Sequence, residues 1–167
     1  MPKLTVRDLR RKKPITIEHF VPADEEQAAA LDAAAKRLGL AEFAGEEKAI
    51  EEARAALKAA QDAVRKAGVV VTLVSVGRVR FQAIIDEHPP AKSAVEKAKA
   101  AGEPVPSWDP DSFFPALLAA TADSDLTEEQ WQAEVFESDA WNDNEVQELR
   151  EKALLVNQAT RVGELGN

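Results

Sequence analysis

His19 and His88 are the only histidines in this chain, and cysteine is absent. A general base working near neutral pH would therefore be His88, oriented by Asp86 or Glu87. Those two carboxylates lie on other faces of the helix that the spacing predicts. His88 closes an apolar stripe with Phe81, Ile84 and Ile85, so it reads as a core-facing histidine bonded to a neighbouring carbonyl. His19, within an alternating segment, has no stronger claim. Without cysteine there is no thiol nucleophile, thiolate metal site or disulfide framework, which suits a reducing compartment.

Acidic spacing offers calcium chemistry next. Asp123, Asp125, Thr127 and Glu134 stand at the first, third, fifth and twelfth places of a loop of EF-hand length. Glu128 occupies the sixth place, where the sharp turn demands glycine. Thr127 is better explained as a helix cap, and Asp139, Asn142, Asp143 and Glu145 as partners of a helix N-terminus. No glycine-rich phosphate loop, serine elbow or His-Glu-x-x-His pair is present. The expectation is a protein that is not an enzyme and holds neither metal nor cofactor.

Charge is the third kind of chemistry. The 167 residues carry a formal net charge of -9, yet Arg10, Arg11, Lys12 and Lys13 are consecutive. This basic arm could hold an anionic partner, such as an acidic protein or the acidic body of another copy. It lacks the aromatic interleaving and the groove-sized basic helix of nucleic-acid readers, so no nucleic-acid partner is expected. No apolar run is long enough to span a bilayer, and no membrane partner is expected.

Positioning these residues falls to a mainly α (α+β) fold: two short strands bridged by a helical hairpin, followed by a C-terminal cluster of about four helices. The expected organisation is a basic, flexible arm (1–13), a strand, hairpin, strand and helix module (14–90), a Pro/Ala/Lys-rich linker (91–107), a helical module (108–162) and a frayed tail (163–167). Ile15 to Val21 is β-branched and alternates, with Ile15, Ile17 and His19 on one face. Asp24 caps a helix with Leu31, Ala34, Ala35 and Leu38 on one side, which the Gly39 to Gly45 stretch breaks. A second helix from Glu46 carries Ile50, Ala53, Leu57, Ala60, Val64 and Ala67 in a seam that serves the hairpin itself or an oligomer. Val69 to Val76 is a nearly continuous apolar strand; whether it pairs parallel or antiparallel with the first is open.

Further on, Ser112 is expected to cap a helix with Pro115 in its first turn. Thr127 with Gln130, and Asn142 with Glu145, read as capping boxes, with Leu126 and Trp141 stapling onto Trp131 and Val146. The last helix places Val146, Leu149, Ala153, Val156 and Thr160 on one stripe and ends near Gly163.

The strand, turn and helix ending in Phe81…His88-Pro89-Pro90 form one motif. A second is the proline-bounded Asp111-Ser112-Phe113-Phe114-Pro115-Ala116-Leu117-Leu118, followed by Leu126-Thr127-Glu128-Glu129-Gln130-Trp131, an acidic Asn-Asp-Asn-Glu turn and a terminal helix with Asn157. Over Pro14 to Asn157 the pattern resembles the tail assembly chaperones of long-tailed, siphophage-type bacteriophages and prophages. The Lys/Arg arm and the long Ala-rich hairpin depart from it. The resemblance implies a non-enzymatic protein of the host cytoplasm, not expected in the mature virion. It would bind the tape measure protein, keep it soluble and help recruit tail tube protein during tail morphogenesis. The implied client surface is an exposed subset of Phe113, Phe114, Leu117, Leu118, Trp131, Phe136 and Trp141. A longer, frameshifted form of the chain is also implied, with Leu165-Gly166-Asn167 compatible with a slippery heptamer. The rival functions are a structural component of a phage particle, as a connector or tail-completion protein, or an enzyme with a polar pocket around His88.

Overall fold

A computed structural model describes residues 4–158. The fold is mainly α with one two-stranded antiparallel sheet, as the patterning requires. In chain order the elements are α1 (Val6–Leu9), β1 (Thr16–Val21), α2 (Glu25–Ala44), α3 (Glu47–Ala67), β2 (Val69–Val74), α4 (Arg78–Glu87), α5 (Lys92–Ala101), α6 (Pro110–Thr121), α7 (Glu128–Trp131), a π-helical turn (Gln132–Phe136) and α8 (Asp143–Gln158). The pairing direction left open by the sequence is settled: the Ser75 N–H donates to the Ile15 carbonyl at 2.8 Å, and the Ile15 N–H to Ser75 Oγ at 3.2 Å. The strands alternate as expected, with His19 and Val21 of β1 and Val71 and Leu73 of β2 buried. Val69 is about half exposed, so only the middle of β2 is as apolar in its surroundings as in its sequence.

The chain forms two compact units, Glu18–Val71 and the remainder. That boundary is not the one expected near the linker. It passes through both strands, and it groups α4 with the C-terminal helices, because Phe81 meets the Phe113 ring edge-on at 6.4 Å. The linker itself is half helical, as α5. Within the arm, Thr5 and Asp8 form a capping box around the single turn of α1.

The Glu18–Val71 unit is a helical hairpin backed by strand segments. Asp24 caps α2 by accepting from the Gln27 N–H at 2.9 Å. The helix runs on through Gly39, since one glycine inside a helix costs only about 1 kcal/mol, and ends within the expected Gly39 to Gly45 stretch. Gly45, at φ 73°, makes the actual stop. Ala34 and Ala41 of α2 and Ala53 and Val64 of α3 are buried, while Leu31, Leu38, Ile50 and Leu57 are half-buried. Small side chains at the centre let the two helices come close, and Arg37–Glu52 and Arg54–Glu42 pairs join them at 3.6 and 3.5 Å. These exposed pairs add little stability.

The other unit has an aromatic core. Trp108 stacks on Phe113 with centroids 4.5 Å apart, and Phe113 meets Phe114 edge-on at 5.2 Å. Leu117 and Leu118 of α6, Ile84 of α4, and Leu149, Ala153 and Val156 of α8 complete it. The cap of α6 differs from expectation: Asp109 is the N-cap, Pro110 opens the helix, and Ser112 Oγ donates to Asp109 at 3.2 Å. Asp109 wins because Pro110 at the first helical position is already preset for a helix. Pro115 therefore lies inside the helix and has no N–H to give to the Asp111 carbonyl. Both predicted capping boxes form, Thr127 with Gln130 and Asn142 with Glu145. The Thr160 end of the last stripe, the Gly163 stop, the expected frayed tail and Gly166-Asn167 lie outside the described residues.

Candidate functional site: two clefts of opposite charge

Both clefts lie in the unit that holds the aromatic core. The first is a cavity of about 550 Å³ at the end of the arm. Lys12, Lys13 and Arg78 line it together with Ile15, Phe81 and Val156. Among the described residues its lining contains no carboxylate. Asn157 fixes one wall: its Oδ1 accepts from the Val76 N–H at 3.0 Å, and its Nδ2 donates to the Ala153 carbonyl at 2.8 Å. Gly77, at φ 83°, turns the chain from β2 into α4 at another wall. The first turn of α4 has no side-chain cap and no acidic residue, an unusual combination for a helix start.

The second cleft, of about 340 Å³, has the opposite character. Asp111, Glu128, Glu129 and Glu137 line it with His88 and Ser112. Its floor includes Pro115, whose missing N–H leaves the Asp111 carbonyl without its helical partner. Glu129 is held below the ordinary carboxylate range by its own backbone N–H and then by the Thr127 hydroxyl. The π-helical turn supplies Gln132 and Ala133.

His88 is half-buried rather than sealed in aliphatic contacts. Its backbone ends α4, with the N–H donating to Ile85 at 3.2 Å and the carbonyl accepting from the Asp109 N–H at 3.0 Å. It shares its cleft with Asp111, Ser112, Glu128 and Glu129, and Ser112 Oγ donates to Asp109 at 3.2 Å. Phe81 packs toward Phe113, and Pro89 and Pro90 stop the helix. His19 is buried in the other unit. Among the described residues, no group of three or more His, Cys, Asp or Glu side chains could hold a metal ion, and Asp123, Asp125 and Glu134 gather no such site.

Burial narrows the expected exposed subset of client-surface candidates. Phe113, Phe114, Leu117, Leu118 and Trp131 are buried, because their stripe is the core of the unit and α6 is covered on nearly every side. Only Phe136 and Trp141 remain half-exposed. Phe136 shares the Arg150 guanidinium with Phe114, at 5.1 and 5.0 Å from the two rings, while among the described residues the buried Arg150 Nε has no hydrogen-bond partner. Exposed apolar side chains lie elsewhere: Leu40 and Phe43 on α2, Val79 on α4 and Leu155 on α8. Periodicity did not single these out, since each falls outside its helix's main stripe. Arg78 also escaped sequence reasoning. The one available signal was a helix start after Gly77 with arginines where acids are usual.

Among the described residues no helix is long and apolar enough to cross a membrane. No protein-family model, no curated protein and no solved structure matches the chain, so these surfaces and the motif resemblance are the ground for a functional reading.

Proposed function

We propose that the chain is a tail assembly chaperone of a long-tailed phage or prophage, acting by binding alone. Its client is the tape measure protein, which it keeps soluble while tail tube subunits are recruited. The chaperone acts in the host cytoplasm and is left out of the finished particle, with a frameshifted longer form as a natural partner. The observation that best supports this is Phe43, 93% exposed, with Leu40, 72% exposed, one turn before it on α2. Single exposed apolar residues are ordinary, but two at i, i+3 share a face and offer apolar helices a contact. Phe136 and Trp141 are the remaining candidates from the aromatic set.

Co-expression with the long helical protein encoded immediately downstream, followed by pull-down and a solubility assay, tests the proposal. The partner should co-purify and leave the pellet. A Leu40→Ser/Phe43→Ser variant should lose that rescue while changing stability by only about 0.5 kcal/mol, since both side chains are in water. A partner that stays insoluble, with this chain found in finished particles, would favour a connector or tail-completion protein.

A further inference from the structure

We propose that the basic cavity binds a short polypeptide segment in which a carboxylate side chain stands beside a large apolar one. The lining supplies both halves of that chemistry. Lys12 and Arg78 provide positive charge, and among the described residues the lining holds no carboxylate, in a chain whose formal net charge is -9. Among the described residues neither Lys12 nor Arg78 has an ion-pair partner. The start of α4 adds to this field, because its first turn carries no acid and no side-chain cap. Ile15, Phe81 and Val156 provide the apolar wall.

Size selects a peptide over a simple anion. A cavity of about 550 Å³ lies within the range of clefts that take organic ligands, whereas an inorganic anion would leave the apolar wall wet. The rim is also built for specificity. Asn157 spends its side-chain amide on Val76 and Ala153, so the wall that meets the ligand is held in place before binding. The site shares no residue with the Leu40 and Phe43 face and does not depend on the chaperone reading.

Fluorescence anisotropy of the full chain with a labelled Gly-Ser-Glu-Leu-Phe-Glu-Ser peptide tests the site. Saturable binding is expected, weakening as salt rises. The analogue with glutamine in place of both glutamates should bind on the order of tenfold more weakly, as should the variant Arg78→Glu. That substitution is expected to fold, because Arg78 is exposed and an acid at the first position of a helix is favourable. Lys12→Glu, in the arm, gives a second variant with the same expected loss. Equal binding of the glutamine analogue, no loss in either variant, no binding at all, or full displacement by millimolar phosphate would each overturn the proposal. Leu40→Ser/Phe43→Ser should bind the peptide normally; if it does and tape measure capture is absent, the chaperone reading alone fails.

Discussion

The hairpin of Glu18–Val71 and the unit carrying α4 to α8 bury apolar surface in opposite ways. The hairpin closes through Ala34, Ala41, Ala53 and Val64, so its helices approach closely, and its larger side chains, Leu31, Leu38, Ile50 and Leu57, remain half-buried. The other unit packs Phe113 and Phe114 at its centre, with a half-buried Trp108 stacked on Phe113, and encloses Leu117, Leu118 and Leu149 completely. Small residues make a thin seam and leave apolar matter outside, whereas rings make a thick core whose surrounding elements cannot close every gap. The first arrangement yields an exposed Leu40 and Phe43; the second yields two clefts.

Truncating the aromatic core should have the largest effect. Phe113→Ala is expected to cost about 3–5 kcal/mol, measured by urea unfolding, because the ring touches Trp108, Phe81 and Phe114. No comparable truncation exists where the buried residues are mostly alanine. A loss below about 1 kcal/mol would erase the contrast between the two units.

The hairpin should instead be vulnerable to enlargement. A Cβ on Gly68 would run into the Val21 carbonyl oxygen and lie 2.9 Å from Val64 Cγ1. Gly68→Ala is therefore expected to destabilise by about 1–3 kcal/mol, with the backbone of Val21 unable to yield as a side-chain tip would. A neutral result would show that the seam is looser than its alanines imply.

The smallest expected effect is electrostatic. The Arg65 guanidinium donates to Glu18 Oε2 at 2.7 Å and lies over the Phe20 ring, holding the Glu18 carboxyl below its ordinary range. A folded value below the unfolded one stabilises the protein above the unfolded pKa, and that contribution is lost as the pH falls through the folded value. Thermal unfolding of the wild type should thus weaken slightly more than that of Glu18→Gln between about pH 5 and pH 3. The pair is exposed, so a difference large enough to dominate acid unfolding would contradict the geometry.

Much of the fold was legible because its signals are local. Thr127 with Gln130, Asn142 with Glu145 and the Asp24 cap bring together groups three residues apart, and spacing alone decides such bonds. Spacing alone starts α6 one turn late because Asp109 and Ser112 are both good caps, and Pro110 breaks the tie. Candidate site residues were less legible. An apolar stripe looks the same whether it faces a core or a client, which is why Phe113, Phe114, Leu117, Leu118 and Trp131 were open to both readings until their burial was seen.

By itself the sequence determined the element types, most caps and the alternation of the strands, since each depends on neighbours within a turn or on the pleat. Tertiary structure decided the antiparallel pairing, the choice of core face and the meeting of Lys12, Lys13 and Arg78 around one cavity and of Asp111, Glu128, Glu129 and Glu137 around another. Arg78 is far in the chain from the arm, and Asp111 from Glu128, Glu129 and Glu137, so only the packing of whole helices and strands brings their charges to a common surface.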